Sequence, residues 1–174
     1  MKKLVLILGK SGSGKSYLQD LLLNKGFFKV MSATTRKPRS GETNEYLFLS
    51  EDEFHKMVML EKASFAGNYY GTPLDELNKK GDMVKVIEPQ GCSSLLKYLK
   101  KNQIELDVII LFLDIPEKQL RINMKKRGDS ASDIEKRLKQ DSIKKDFLAL
   151  NLNFYRITEI DIDEIMEIIY GTEN

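Results

Sequence analysis

The run Gly9-Lys10-Ser11-Gly12-Ser13-Gly14-Lys15-Ser16 leaves this chain few folds to choose from. It follows five apolar residues, Leu4-Val5-Leu6-Ile7-Leu8, and opens an amphipathic segment from Tyr17 to Leu23. The order is strand, glycine-rich turn, helix, and the spacing G-x-x-x-x-G-K-[S/T] in that order is the phosphate-binding P-loop. Glycines let backbone N–H groups turn inward around a polyphosphate, and the helix N-terminus adds the positive end of its dipole. Gly9, Ser11, Gly12, Ser13 and Gly14 are the cradle, Lys15 reaches the β- and γ-phosphates, and the Ser16 hydroxyl is placed to ligate Mg²⁺. An ordinary Gly/Ser turn is the alternative. The position of the match, directly after an N-terminal apolar strand, speaks against it.

At 174 residues and 41% hydrophobic, the chain suits one compact domain with a real core and small appended lobes. No apolar run approaches the length that spans a bilayer, so no membrane partner is expected. Met1-Lys2-Lys3 resembles the basic start of an export signal, but the five apolar residues after it lead into the P-loop. Cys92 is the sole cysteine and His55 the sole histidine, which excludes an internal disulfide and a His/Cys zinc site. The expected location is the cytoplasm. A net charge of +2 without an extended basic stripe gives no reason to expect nucleic acid. No obligate protein partner is inferred.

Along the chain, strand and helix patterns alternate. After the first helix, stopped near Gly26, Phe27–Met31 reads as a short strand. A polar stretch from Ser32 to Glu42 leads to a short strand at Tyr46–Leu49. Ser50-Glu51-Asp52-Glu53 has the form of a capping box, predicting a helix to about Leu60. Phe65–Gly71 reads as an aromatic hairpin or loop, and Thr72-Pro73 as the start of a helix ended by Gly81. Met83–Ile87 and Val108–Leu113 read as buried strands, the second central in a parallel sheet. Helices are expected at about Cys92–Lys101, after Pro116 to about Lys126, from the capping box Ser132–Glu135 onward, and at Asp163–Tyr170, with a last strand at Phe154–Glu159. The result is an α/β fold, a parallel sheet flanked by helices.

Four blocks together resemble guanylate kinase, a nucleoside monophosphate kinase of the P-loop class. They are Gly9–Ser16, Ser32–Glu42, Gly67-Asn68-Tyr69-Tyr70-Gly71-Thr72-Pro73, and Arg127-Gly128 followed by Asp133–Leu138. They stand in the family's order and span most of the chain. The resemblance implies a single domain: a P-loop NTPase core (1–31, 81–116 and 140–174), a small monophosphate-binding lobe (32–80) and a helical lid (117–139). It implies ATP and GMP, or dGMP, as substrates, with Mg²⁺. Ser32, Glu61, Thr72 and the acid Glu88 correspond to guanine contacts. Arg36, Arg39, Tyr46 and Tyr70 correspond to contacts with the GMP phosphate, and Arg127 and Arg137 to lid arginines that close on the transferring phosphates. Lys15, Arg36, Arg127 and Arg137 would carry catalysis.

The residue chemistry is consistent with that. Guanidinium forks and phenolic hydroxyls are what phosphate recognition uses, though a solvated basic turn would contain the same arginines. One of Tyr69 and Tyr70 should be a packing residue, because neighbours on an extended chain point to opposite faces. Lys125 and Lys126 read as a charged helix end, and His55 receives no role. Three features depart from the family pattern. Val86 stands where the first of two acids is usual, Asn123 stands in place of a further lid arginine, and the lid loop and the 42–46 segment are slightly short. The alternatives are therefore a guanylate-kinase-like binding module with weak or no catalysis, or a related P-loop kinase with another acceptor.

Overall fold

The computed structural model describes residues 1–38, 45–140 and 143–171. Five parallel strands form the main sheet: β1 (Lys3–Gly9), β2 (Phe28–Lys29), β7 (Met83–Val86), β8 (Asp107–Leu113) and β9 (Tyr155–Ile157). Their spatial order is β2-β7-β1-β8-β9, and every pairing is parallel. Both faces are covered, which is why β1 and β8 read as unbroken apolar runs rather than alternating ones.

On one face, Val5, Ile7, Val84, Ile109 and Leu111 pack against α1 (Lys15–Asn24), α4 (Glu117–Lys126) and α7 (Ile162–Tyr170) through Leu18, Leu22, Leu120, Met124, Ile165 and Ile169. On the other, Leu4, Leu6, Met83, Ile110 and Phe112 pack against α3 (Pro89–Lys101) and α6 (Ile143–Leu148) through Cys92, Leu95, Leu99 and Phe147. Each fully buried Leu or Phe contributes about 1.5–3 kcal/mol. Phe112 and Phe147 stack with ring centroids 4.8 Å apart. No helix among the described residues is long and apolar enough to cross a membrane.

A second sheet of four strands is built from β3 (Ser32–Thr34), β4 (Tyr46–Phe48), β5 (Met59–Phe65) and β6 (Asn68–Pro73), in the order β4-β3-β6-β5. The short helix α2 (Glu51–Lys56) closes one face of it, packing Phe54 with Ala33 and Met59. The Ser50–Glu53 capping box is formed in both directions. The helix stops at Lys56, however, rather than near Leu60, and the next residues enter β5.

Thr72-Pro73 does not begin a helix: both residues end β6, and a 3₁₀ turn (Leu74–Asn78) follows. Proline at a strand end need not donate to the ladder, so the same residue suits either position. Pro89 opens α3 as its first helical residue, three residues earlier than the expected start. The helix α5 (Ala131–Gln140) is capped by Ser130 instead of Ser132: Ser130 Oγ accepts from the Asp133 amide at 3.1 Å and donates to the Asp133 carboxylate at 2.6 Å.

Candidate active site

The P-loop forms at the C-terminal end of β1, the central strand of the parallel sheet. Gly12 and Gly14 hold φ angles of 78° and 90°, a conformation that favours glycine. Space is lacking too: a Cβ on Gly12 would meet Met124 Cγ at 2.8 Å, and one on Gly14 would meet Ile160 Cδ1 at 2.7 Å. Gly14, at the N-cap of α1, has no side chain to cap the first turn, an arrangement that suits a helix N-terminus to an anion. Lys15 Nζ donates to the carbonyls of Gly9 at 2.6 Å and Lys10 at 3.0 Å, which keeps its charge at the loop. Ser13 is 1% exposed and its hydroxyl packs beneath Gly9, while its amide donates to Lys10 O at 3.1 Å. Ser16 is exposed. The residues from Ser11 to Tyr17 line a cavity of about 950 Å³, opposite Ile115, Pro116 and Thr158-Glu159-Ile160. That is nucleotide-sized.

The helix α4 borders this cavity through Gln119, Asn123 and Lys126. Asn123 on α4 donates to the Gly12 carbonyl at 2.9 Å and accepts from Gln119 at 2.8 Å. Asn123 therefore ties α4 to the P-loop. Arg127 pairs with Asp129, and Arg137 Nε lies 3.9 Å from the same carboxylate. Arg137 also donates to Ser11 Oγ at 3.4 Å. Both lid arginines thus converge beside the loop, on an acid that the sequence reading did not single out. The hydrogen bond from Arg127, helped by the charges of Arg127 and Arg137, holds the Asp129 carboxyl below the ordinary carboxylate range.

Most of the other residues expected at the site collect on the second sheet. Glu61 pairs across from Thr72, and Thr72 Oγ1 donates to Glu61 Oε1 at 2.6 Å. Ala33 pairs with Gly71, so one register step further puts Ser32 beside Thr72. Directly opposed residues share a face, and Ser32, Thr72 and Glu61 therefore form one row. Tyr46 is the register partner of Ser32, and Tyr70 lies two residues from Thr72 on the same face. Their rings meet edge-on with centroids 6.1 Å apart. The Arg36 guanidinium sits 5.6 Å from the Tyr46 ring centroid and donates to the Lys37 carbonyl at 2.8 Å. Tyr69 turns to the opposite face and stacks on Phe54 at 5.8 Å, against His55. The tyrosine pair thus divides between the two faces, Tyr69 packing on Phe54 and Tyr70 lying with Tyr46 on the face of Thr72. Arg39 lies outside the described residues.

Two further positions complete the picture. Val86 packs against the apolar core, and Glu88 is exposed at the N-cap of α3, making no capping hydrogen bond with its side chain. Lys85, which precedes Val86 on β7 and points to the opposite face, is 2% exposed and donates to Ser32 Oγ at 2.7 Å. Burial pushes its pKa down to about 8; Glu61 and Glu76 oppose that shift and Lys29 adds to it. Its signal in the sequence is a lone lysine inside the apolar run Met83–Ile87, a residue type almost never fully buried unless paired. Among the described residues, no group of three or more His, Cys, Asp or Glu is placed to hold a metal ion.

Comparison with known proteins gives a consistent result. A family model described as Guanylate kinase matches residues 1–170. The chain is 34% identical to a guanylate kinase of Prochlorococcus marinus subsp. pastoris, over 96% of this chain and 94% of that one. It is also 34% identical to a guanylate kinase of Wolbachia pipientis wMel, over 98% of this chain and 89% of the relative. The crystal structure of guanylate kinase from Anaplasma phagocytophilum superposes with a TM-score of 0.57 at 24% identity, covering 97% of this chain and 82% of that one, which shows the same fold.

Proposed function

The chain belongs to the guanylate kinase family and transfers a phosphoryl group from ATP to GMP, and we propose that ATP lies on the P-loop while GMP lies along the face that carries Ser32, Thr72 and Glu61. The observation that carries this reading is that shared face. It presents a carboxylate and hydroxyls at one end and Arg36, Tyr46 and Tyr70 at the other. Those are the two chemistries of a purine monophosphate, a hydrogen-bonding base edge and a dianion. Arg39 and Glu88 belong to the same reading. Residues 32–80 are then the acceptor lobe and 117–139 the lid over ATP.

The acceptor atom is a phosphate oxygen, already anionic near neutral pH, so no general base is needed. What the protein supplies is alignment of two anions and neutralisation of charge on the moving group. Gly9, Ser11, Gly12, Ser13 and Gly14 cradle the donor phosphates, and Lys15 follows them into the transition state. Arg36 holds the acceptor phosphate. Arg127 and Arg137 exchange Asp129 for phosphate oxygens as the lid closes and excludes water. The donors present fit Mg²⁺ carried with the nucleotide: Ser16 offers one hydroxyl beside the loop, Glu88 an exposed carboxylate, and this ion usually keeps several waters and binds phosphates. When bound, Mg²⁺ neutralises phosphate charge. The substrates and the unpaired thiol Cys92 suit a reducing cytoplasm. An intact Gly14-Lys15-Ser16 favours the enzyme over a binding module that has lost catalysis.

Glu61 tests the acceptor half. Guanine offers two adjacent donors, N1–H and the N2 amino group, which one carboxylate can accept together. Glu61→Gln keeps the size and turns one acceptor into a donor facing a donor. The expected loss in kcat/KM for GMP is about tenfold to a hundredfold, with ATP binding little changed. Steady-state kinetics with GMP and AMP decide it. Unaltered GMP efficiency and GMP/AMP preference would remove Glu61 from the base pocket.

A further inference from the structure

Lys85 is a buried charge with no part in the account above. Its stem runs through the apolar layer on the β7 face that carries Met83 and Ile87, and its ammonium emerges at Ser32. Four elements bring a polar or charged group toward that ammonium, while β1 sets the apolar Leu6 beside Lys85. Glu61 comes from β5, Glu76 from the 3₁₀ turn, Lys29 from β2 and Ser32 from β3. A lysine placed there is not a snorkelling surface residue, because only 2% of it is exposed.

An ammonium has three donors and no acceptor, whereas a hydroxyl has one proton and two lone pairs. In the 2.7 Å contact, Lys85 must donate and Ser32 Oγ must accept. The proton on Ser32 is then turned away from the lysine. Ser32 is half-buried and stands in the row with Thr72 and Glu61, so its open side is the side of the acceptor base. Without the lysine, that hydroxyl could rotate and either donate or accept, serving a carbonyl or an amino group alike.

We propose that Lys85 is a specificity-determining positioning residue: by donating to Ser32 Oγ it commits the Ser32 hydroxyl to donate into the base pocket, so that the site selects a 6-oxo purine and rejects a 6-amino one. The inference rests on the acceptor site proposed above. It adds a second selective element, acting on the 6-position, to the carboxylate of Glu61, which reads the N1 and N2 edge. A mismatch at the 6-position then opposes two donors, and the pocket's buried polar groups are left unpaired, which discriminates more strongly than a missing contact.

The test is a double-mutant cycle in the full-length protein, with GMP, inosine monophosphate and AMP as acceptors. Lys85→Met conserves side-chain volume, and Ser32→Ala removes only the hydroxyl. Lys85→Met should lower the GMP/AMP ratio of kcat/KM by about tenfold or more. The loss should appear mainly as a raised KM for GMP and for inosine monophosphate, with the KM for ATP unchanged. A merely structural lysine would not produce that split. Ser32→Ala should lower the ratio to a similar extent, and the double variant should be no worse than Ser32→Ala alone, because the lysine acts through the serine. A wild-type ratio retained by Lys85→Met, or losses that multiply in the double variant, would overturn the relay. A wild-type protein with no preference for GMP over AMP would overturn the acceptor reading itself, and the inference with it.

Discussion

A lysine in the middle of a paired, buried strand destabilises the fold unless something offsets its desolvation. At Lys85 the offset is incomplete, because its pKa remains pushed down to about 8, from the ordinary 10.5. Between those values the unfolded chain binds more protons than the folded one. Stability therefore rises with pH across that window, and the penalty is fully present below about pH 8. Lys85→Met removes it, a difference on the order of 3 kcal/mol at most. The variant should melt above the wild type at pH 7, and the gap should shrink as the pH approaches 10. Thermal melts at several pH values check this; a variant that melts lower, by an amount independent of pH, contradicts it. At this scale the sequence was legible where residue type and motif agree. Glu61 and Thr72 bond to each other, and Tyr70 separates from Tyr69, as strand alternation requires. Lys85 shows locally only as a lone lysine within the apolar run Met83–Ile87, and nothing local says that Ser32, far away in sequence, receives its ammonium.

At the scale of elements, capping and turn chemistry located both ends of α1 and the start of α2, and the misreadings have identifiable causes. The residues from Met59 to Phe65 form a strand exposed over most of its length, so no apolar alternation separated it from the helix before it. Thr72-Pro73 suits a strand end as well as a helix start. The lid shows how neighbouring elements can restrain chemistry. Asp129, in the turn between α4 and α5, holds Arg127 and Arg137, the two arginines proposed to close on the transferring phosphates. Asp129→Asn removes the competing charge and leaves the Ser130–Asp133 cap intact. It should raise kcat/KM for ATP about two- to fivefold, the scale of an exposed ion pair. A decrease would mean that Asp129 positions the arginines rather than competing for them.

For the whole molecule, alternating strand and helix patterns were enough to give the parallel sheet with helices on both faces. The strand order β2-β7-β1-β8-β9 was not readable, since it depends on crossovers that bring β7 and β8 to either side of β1. The second sheet was readable only in pieces, because its pairings join residues from Ser32 to Pro73 through short strands. In the proposed account that sheet holds the acceptor and the P-loop the donor, so that recognition of guanine decides which monophosphate receives the phosphoryl group. The most direct test is a coupled ADP-release assay of the purified protein with ATP, Mg²⁺ and, separately, GMP, dGMP, AMP, CMP and UMP. GMP and dGMP should support turnover at least about a hundredfold more efficiently than the other three; equal efficiency across the panel, or ADP release that needs no acceptor, would contradict a guanine-reading phosphotransferase.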